Sequence, residues 1–329
     1  MTVKMMLAAS IAAALACLLP GADAGAQTGK LMLYTSQPQS DAEQTVAAFE
    51  KANPGVKVEW VRNGTSQLMN KLEAEFAAGA PAPDVLLIAD AMSMETLKAQ
   101  GRLAAHADAK TGALPAGTFD KDKTYFGTKL ITTGIVAHKS AKVPASWNDI
   151  LGPDAKGKVT MPSPLYSGAA AIHVGTLTAD KAFGWDYFDK LAKNGAVAVR
   201  GNGDVFKAVA SGEKIYGVVV DFMALREQVK GSPVVFVFPK EGVTAVTEPV
   251  AILKTAKNTT EAKAFVDFLL SEAGLALATA QGYLGLDAKA TPPAGFPKLD
   301  QIKLMDSDIP GIVKADQDNK KKFADLFGG

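Results

Sequence analysis

The sequence predicts an α/β fold in two lobes, each an open mixed sheet flanked by helices, joined by two hinge crossings. Three observations predict it. A chain of 329 residues is longer than one hydrophobic core usually serves. Strand-like and helix-like patterns alternate from Leu31 to Asp90 and again from Gly157 onward. Two extended runs, Tyr125 to His138 and Val246 to Leu253, stand where the chain would cross between lobes and return.

The N-terminus carries Lys4, a small and apolar run from Met5 to Leu19, then Pro20-Gly21 and the small-residue triplet Ala24-Gly25-Ala26. This reads as a secretory signal over residues 1–26, cleaved before Gln27, and the run is too short for a membrane span. Cys17 is the sole cysteine and falls inside it, so the mature chain needs no disulfide; a lipid anchor at Cys17 is the minor alternative. Soluble export, into a bacterial periplasm, is expected. The formal charge of +1 and the lack of a dense basic cluster beyond Lys320-Lys321-Lys322 argue against nucleic acid as a partner.

Leu31-Met32-Leu33-Tyr34 is a strand, ended by the polar turn Thr35-Ser36-Gln37-Pro38. A helix follows from Asp41 to Ala52, stopped by Asn53-Pro54-Gly55. Val56 to Val61 alternates as a strand does, and Asn63-Gly64-Thr65-Ser66 leads into a helix with Leu68, Leu72 and Phe76 at steps of four. Asp84 to Ala89 is a wholly apolar strand after its first residue, as in a sheet covered on both faces, with Asp90 at its carboxyl end. Thr132-Thr133-Gly134 is the candidate first crossing, and Pro144 to Leu151 a short helix beneath it. Gly157 to Thr160 is a strand, and Met161-Pro162-Ser163-Pro164-Leu165-Tyr166-Ser167-Gly168 turns into an apolar helix. Asp180 to Lys193 reads as helix, Ala196 to Val199 as strand, and Gly201-Asn202-Gly203-Asp204 as a helix start. Ile215 to Val220 is a buried strand delivering Asp221, and Val234 to Phe238 is a further strand. The tail, mainly helical from Glu261 on, is expected to pack back on the first lobe. The expected division is 27–132 plus 249–329 for the first lobe and 133–248 for the second.

Several short arrangements carry a family likeness: Phe49-Glu50-Lys51-Ala52-Asn53-Pro54-Gly55-Val56-Lys57-Val58, Ala210-Ser211-Gly212-Glu213, Pro239-Lys240-Glu241-Gly242 and Phe265 to Ser271. In order and spacing the chain resembles the solute-binding proteins of ABC importers, and more closely the two-crossover (type 2) branch with ferric-iron, phosphonate and organophosphate binders. The resemblance implies solute capture in the cleft between lobes by hinge closure, then docking on a membrane permease with its ATPase. It also implies a periplasmic location; a monomer is expected. Ferric-iron binders of this branch commonly place adjacent tyrosines just after the strand ending here at Val220, where this sequence has Asp221-Phe222-Met223.

Ligands of open α/β sheets bind at the carboxyl ends of strands, so the loops at Thr35-Ser36, Thr65-Ser66 and Asp90 are site candidates. The turn with Ser163, Tyr166, Ser167, Gly168 and Ala169 is the centre of that expectation, because the first N–H groups of a helix have no internal partner and favour an anion. Capping alone also accounts for Ser167, Asp90 and Asp221, each standing where a helix starts. As ligands, the hydroxyls and N–H groups suit a phosphate or phosphonate, and the carboxylates of Asp90, Asp221 and Glu248 an ammonium. Together they suit a zwitterion such as 2-aminoethylphosphonate. Phe222 either stacks on the ligand or packs a cleft wall, and Glu248 before Pro249 either binds or only shapes the hinge.

Ferric iron is the alternative ligand, with a sugar phosphate or polyamine also open, and reporting to a chemoreceptor is the alternative role. Six tyrosines, none adjacent, make a poor phenolate set, so no metal site and no cofactor are expected. An enzyme is not expected either: the three histidines, His106, His138 and His173, fall in no triad or metal spacing.

Overall fold

The computed structural model describes residues 29–112 and 114–328; the expected signal segment and Cys17 lie outside them. The chain begins with β1 (Gly29–Thr35), α1 (Gln39–Ala52), β2 (Val56–Arg62), α2 (Thr65–Ala77), β3 (Val85–Leu87), α3 (Ala91–Ala99), β4 (Leu103–Ala104) and β5 (Tyr125–Gly127). It continues through β6 (Ile131–His138), β7 (Val159–Pro162), α4 (Gly168–Ala179), α5 (Gly184–Lys193), β8 (Val197–Val199) and α6 (Asn202–Ala210). After these come β9 (Tyr216–Val220), α7 (Asp221–Val229), β10 (Val234–Val237), β11 (Thr244–Val246) and β12 (Pro249–Leu253). The helices α8 (Thr259–Leu270), α9 (Glu272–Ala280) and α10 (Ile309–Phe327) complete it.

Two sheets result, in the orders β2-β1-β3-β12-β4, with β5 on β12, and β10-β6-β9-β7-β8, with β11 on β6. Both are mixed: β1 runs parallel to β2 and β3, whereas β12 is antiparallel to β3; β7 is parallel to β8 and β9, whereas β6 is antiparallel to β9. Register aligns the strand ends that matter. Thr35 pairs with both Arg62 and Leu87, so the loops after β1, β2 and β3 emerge side by side. Pro162 pairs with Val199, which does the same for the loops after β7 and β8.

Local chemistry explains the elements nearest the cleft. All three residues of β3 are buried, since helices cover both faces of its sheet. In α4 every residue from Gly168 to Leu177 is buried, the pattern of a helix enclosed on all sides. The α4 backbone comes so close to α10 that a Cβ on Gly175 would run into the Ile312 side chain. Trp147 opens a short 3-10 turn held by a Ser146 capping box, and its indole N–H donates to the Gly242 carbonyl at 2.8 Å.

The chain departs from expectation at three places. The first crossing is 128–130, because β6 already belongs to the second sheet from Ile131; the return spans Thr247 and Glu248, between β11 and β12. The helix expected from Asp180 starts at Gly184, residues 180–183 being spent on the turn out of α4. The tail divides. Phe265 and Phe268 of α8 pack edge-on to Phe49 in the first lobe, as expected, but α10 buries Phe323 in the second-lobe core with Trp147, Tyr187 and Phe188. Its other side meets α3, so α10 touches both lobes.

Candidate functional site

A cavity of about 110 Å³ lies between the lobes. The first lobe supplies Ser36 and Pro38 after β1, Arg62 at the end of β2, Gly64 and Thr65 at the start of α2, and Ala89 after β3. The second supplies Tyr166 to Ala169 at the start of α4, Asn202 and Gly203 at the start of α6, and Val220, Phe222 and Met223 at the β9–α7 junction. Ile131 enters from the start of β6 and Glu248 from the return crossing. The lobes are in contact around it. Ser66 N–H donates to the Tyr166 carbonyl at 3.4 Å, and Arg200 Nη2 donates to Gln67 Oε1 at 2.8 Å.

The sequence candidates separate into two groups. Ser36, Thr65, Tyr166, Ser167, Gly168, Ala169, Phe222 and Glu248 line the cavity. Thr35, Ser66, Asp90, Ser163 and Asp221 do not. Thr35 is fully buried, with Oγ1 accepting the Gln37 N–H at 3.2 Å. Ser66 donates its hydroxyl to the Pro164 carbonyl at 3.5 Å, bridging the lobes. Ser163 Oγ accepts the Leu165 N–H at 3.2 Å and shapes the turn before α4.

Both free-standing aspartates face inward. Asp90 caps α3, accepting the Met92 N–H at 2.8 Å and the Ser93 hydroxyl, and burial pushes its carboxyl above the usual range. Asp221 accepts the Thr132 N–H and hydroxyl at 3.0 and 2.7 Å and the Phe222 N–H at 2.7 Å. Burial pushes the Asp221 carboxyl up to about 7, against the pull of those donors. Neither carboxylate is left free for an ammonium. Ser167 is the expected N-cap, its Oγ accepting the Ala170 N–H at 3.3 Å, and it also lines the cavity, where Asn202 Nδ2 donates to it at 3.2 Å.

Sequence reasoning missed Arg62. Its Nε donates to the Gln37 carbonyl at 2.8 Å, which turns the rest of the guanidinium toward the cavity wall. Burial and then the neighbouring Arg200 hold its pKa below the ordinary value, and no carboxylate among the described residues acts on it. A signal was available: Arg62 immediately precedes the loop Asn63 to Ser66, itself at a strand's carboxyl end. Asn202 was likewise visible as part of a helix start and not recognised as a wall of the site.

The cavity therefore joins the amino ends of α2, α4 and α6, of which only α4 has a side-chain cap, with the guanidinium of Arg62, a residue exposed at the end of β2. Uncapped helix starts and a positive charge on one cavity are chemistry that suits an anion. Residues 34–276 match the family described as bacterial extracellular solute-binding protein. The chain belongs to that family. This solute-binding protein is 29% identical over 326 residues to an uncharacterized protein of Haemophilus influenzae, covering 93% of this chain and 92% of the relative. It is 27% identical over 321 residues to the Fe(3+)-binding periplasmic protein of Serratia marcescens, with the same 93% and 92% coverage. Among solved structures it superposes on the periplasmic binding protein AfuA of Actinobacillus pleuropneumoniae, bound to exogenous fructose-6-phosphate, with a TM-score of 0.83 and 25% identity, covering 92% of this chain and 99% of that one. Iron-bound HitA of Pseudomonas aeruginosa shares the fold, with a TM-score of 0.78 at 18% identity, covering 89% of this chain and 99% of that one. The solute-binding protein is thus a two-lobed α/β extracellular component of the ABC-importer class, periplasmic as its family is.

Proposed function

We propose that the protein captures a small phosphorylated solute, a phosphate monoester or phosphonate, by closing its lobes around the phosphoryl group, and delivers it to an ABC permease and ATPase. The observation that carries this is Arg62, a guanidinium acted on by no carboxylate of the described residues and exposed at the end of β2, set on the same cavity as the amino ends of α2, α4 and α6. At about 110 Å³ the cavity is well below the roughly 300–1,000 Å³ of sites for drug-sized ligands, which favours a short organic part. Fructose-6-phosphate, the ligand of AfuA, shares the phosphate monoester group, on a longer organic part. The aminophosphonate suggested by the sequence loses support: Asp90 and Asp221 are engaged elsewhere, and Glu248 is matched by Lys129. Residues 1–26 are proposed as the export signal.

Ferric iron is the second reading, favoured by the Serratia relative named for it. Tyr166 is the phenol on the cavity wall that such an ion would use. Calorimetric titration of the ligand-stripped protein with fructose-6-phosphate, inorganic phosphate, 2-aminoethylphosphonate and a ferric salt tests both. Binding of phosphoryl compounds that weakens on Arg62→Ala supports the proposal; binding of ferric ion alone, insensitive to Arg62→Ala and lost in Tyr166→Phe, replaces it with the second reading.

A further inference from the structure

Glu248 is out of place in an anion seat. It lines the cavity from the return crossing, and its backbone sits at φ 36, a left-handed conformation that a side chain-bearing residue rarely adopts. The main chain is bent here. Thr128 and Lys129 N–H groups both donate to the Thr247 carbonyl, at 3.1 and 3.3 Å, and the Thr128 hydroxyl donates to the Glu248 carbonyl at 2.8 Å. The two crossings are laced together at the point where Glu248 lines the cavity. An unneutralised carboxylate there would oppose an anionic solute strongly, since charges interact over several ångströms when water is excluded.

The neutralising group is Lys129, from the first crossing. It is 3% exposed, it does not line the cavity, and its ammonium meets Glu248 Oε2 while lying 4.3 Å from the centre of the Tyr283 ring. Gln37 Nε2 adds a weaker contact to the same carboxylate oxygen at 3.4 Å. Asp41, the other buried acid nearby, is satisfied separately by Arg226 and by the Tyr283 hydroxyl. Lys129 thus has Glu248 as its partner.

We propose that Lys129 is the specificity-determining positioning residue of this cavity: acting through Glu248, it decides whether the hinge side of the site accepts a solute that is only anionic or one that also carries an ammonium. This rests on the anion-seat reading above. With the pair intact, the hinge side is neutral and hydrogen-bonding. Without Lys129, Glu248 becomes an ammonium seat beside the phosphoryl seat. Without Glu248, the buried ammonium favours purely anionic solutes further.

The test compares two probes that differ by one amine, ethylphosphonate and 2-aminoethylphosphonate, titrated calorimetrically into the full mature chain. In Lys129→Gln the affinity ratio of the amine-bearing probe to the amine-free one should rise about tenfold over wild type, and in Glu248→Gln it should fall by a similar factor. The double variant Lys129→Gln/Glu248→Gln leaves no buried charge and should return the ratio to the wild-type value, which keeps the test open if a single variant does not fold. Opposite shifts are a signature that simple loss of structure does not give, because damage lowers both affinities alike. Ratios that stay at the wild-type value in both single variants, or a double variant that departs from it, overturn the inference while leaving the anion seat standing. Wild-type protein that binds neither probe, nor phosphate, overturns the anion seat and the inference with it.

Discussion

The helix-start wall and the crossing wall of the cleft are both polar, and they treat their polar groups in opposite ways. At the starts of α2 and α6 no side chain caps the helix, since Gly64 and Gly201 stand there, and Arg62 answers to no carboxylate among the described residues. At the crossings the charges are matched internally. Asp41 of α1 takes a two-pronged ion pair from Arg226 of α7 at 2.9 and 2.7 Å, Tyr283 donates to it, and Lys129 meets Glu248. On the proposed reading the unmatched groups are the ones that take the solute, and the matched Asp41–Arg226 pair ties α1 to α7 across the lobes.

The comparison can be broken most severely at Asp41. Asp41→Ala leaves Arg226 without its partner and should cost about 3–5 kcal/mol of stability, read by urea unfolding of the ligand-free protein. A loss under about 1 kcal/mol, typical of an exposed pair, would remove internal pairing as the pivot's support. On the other wall, Arg62→Ala should leave unfolding unchanged and weaken phosphoryl binding by about 1.5–3 kcal/mol, the range for hydrogen bonds to charged groups. A stability loss without an affinity loss would move Arg62 into the matched class. Gly168→Ala should behave similarly by a different route. An added Cβ would lie 2.7 Å from the Ala89 carbonyl of the facing lobe, so about 1–3 kcal/mol of closure is lost while the separated lobes fold normally. Scattering that shows this variant as compact with solute as the wild type would refute it.

A pH dependence separates the stability of α4 from its proposed recognition role. His173 is enclosed on that helix, Nδ1 3.1 Å from Thr244 Oγ1, and burial pushes its pKa down to about 3. Unfolded histidine takes its proton near pH 6.5, so between pH 6.5 and about 3 the unfolded chain binds more protons than the native one. Stability is full above that window and falls with acidification by about 1.4 kcal/mol per pH unit. In His173→Gln the slope over this range should flatten; an unchanged slope assigns acid sensitivity to other groups.

Much of the fold was legible because strand and helix periods and their breakers are local. Asn53-Pro54-Gly55 ends α1, with Gly55 at φ 102, and the apolar run after Asp84 is a central strand. The location of the cleft was legible for the same reason: loops at strand ends converge in any such sheet. Side-chain direction was not. Asp90 and Asp221 stand where ligands would contact them, but each turns back to the N–H groups of its own helix and neighbours, a competition that position in the sequence does not decide. The pivot was hidden by distance, since Asp41, Arg226 and Tyr283 meet only in the folded chain. The side taken by α10 was equally hidden, because an amphipathic helix announces that it packs and not against what.

Gly64 and Gly168 close the cleft from opposite lobes, and at each a side chain would come within 2.7 Å of a main-chain carbonyl across the gap, that of Tyr166 in one case and of Ala89 in the other. Backbone therefore stops against backbone, which yields far less than rotamers do. If the lobes close on a solute as proposed, this contact would work as a gauge: an oversized guest would not be admitted by squeezing the main chain and would hold the jaws ajar. Size would thereby be judged there, by residues whose contribution is to have no side chain.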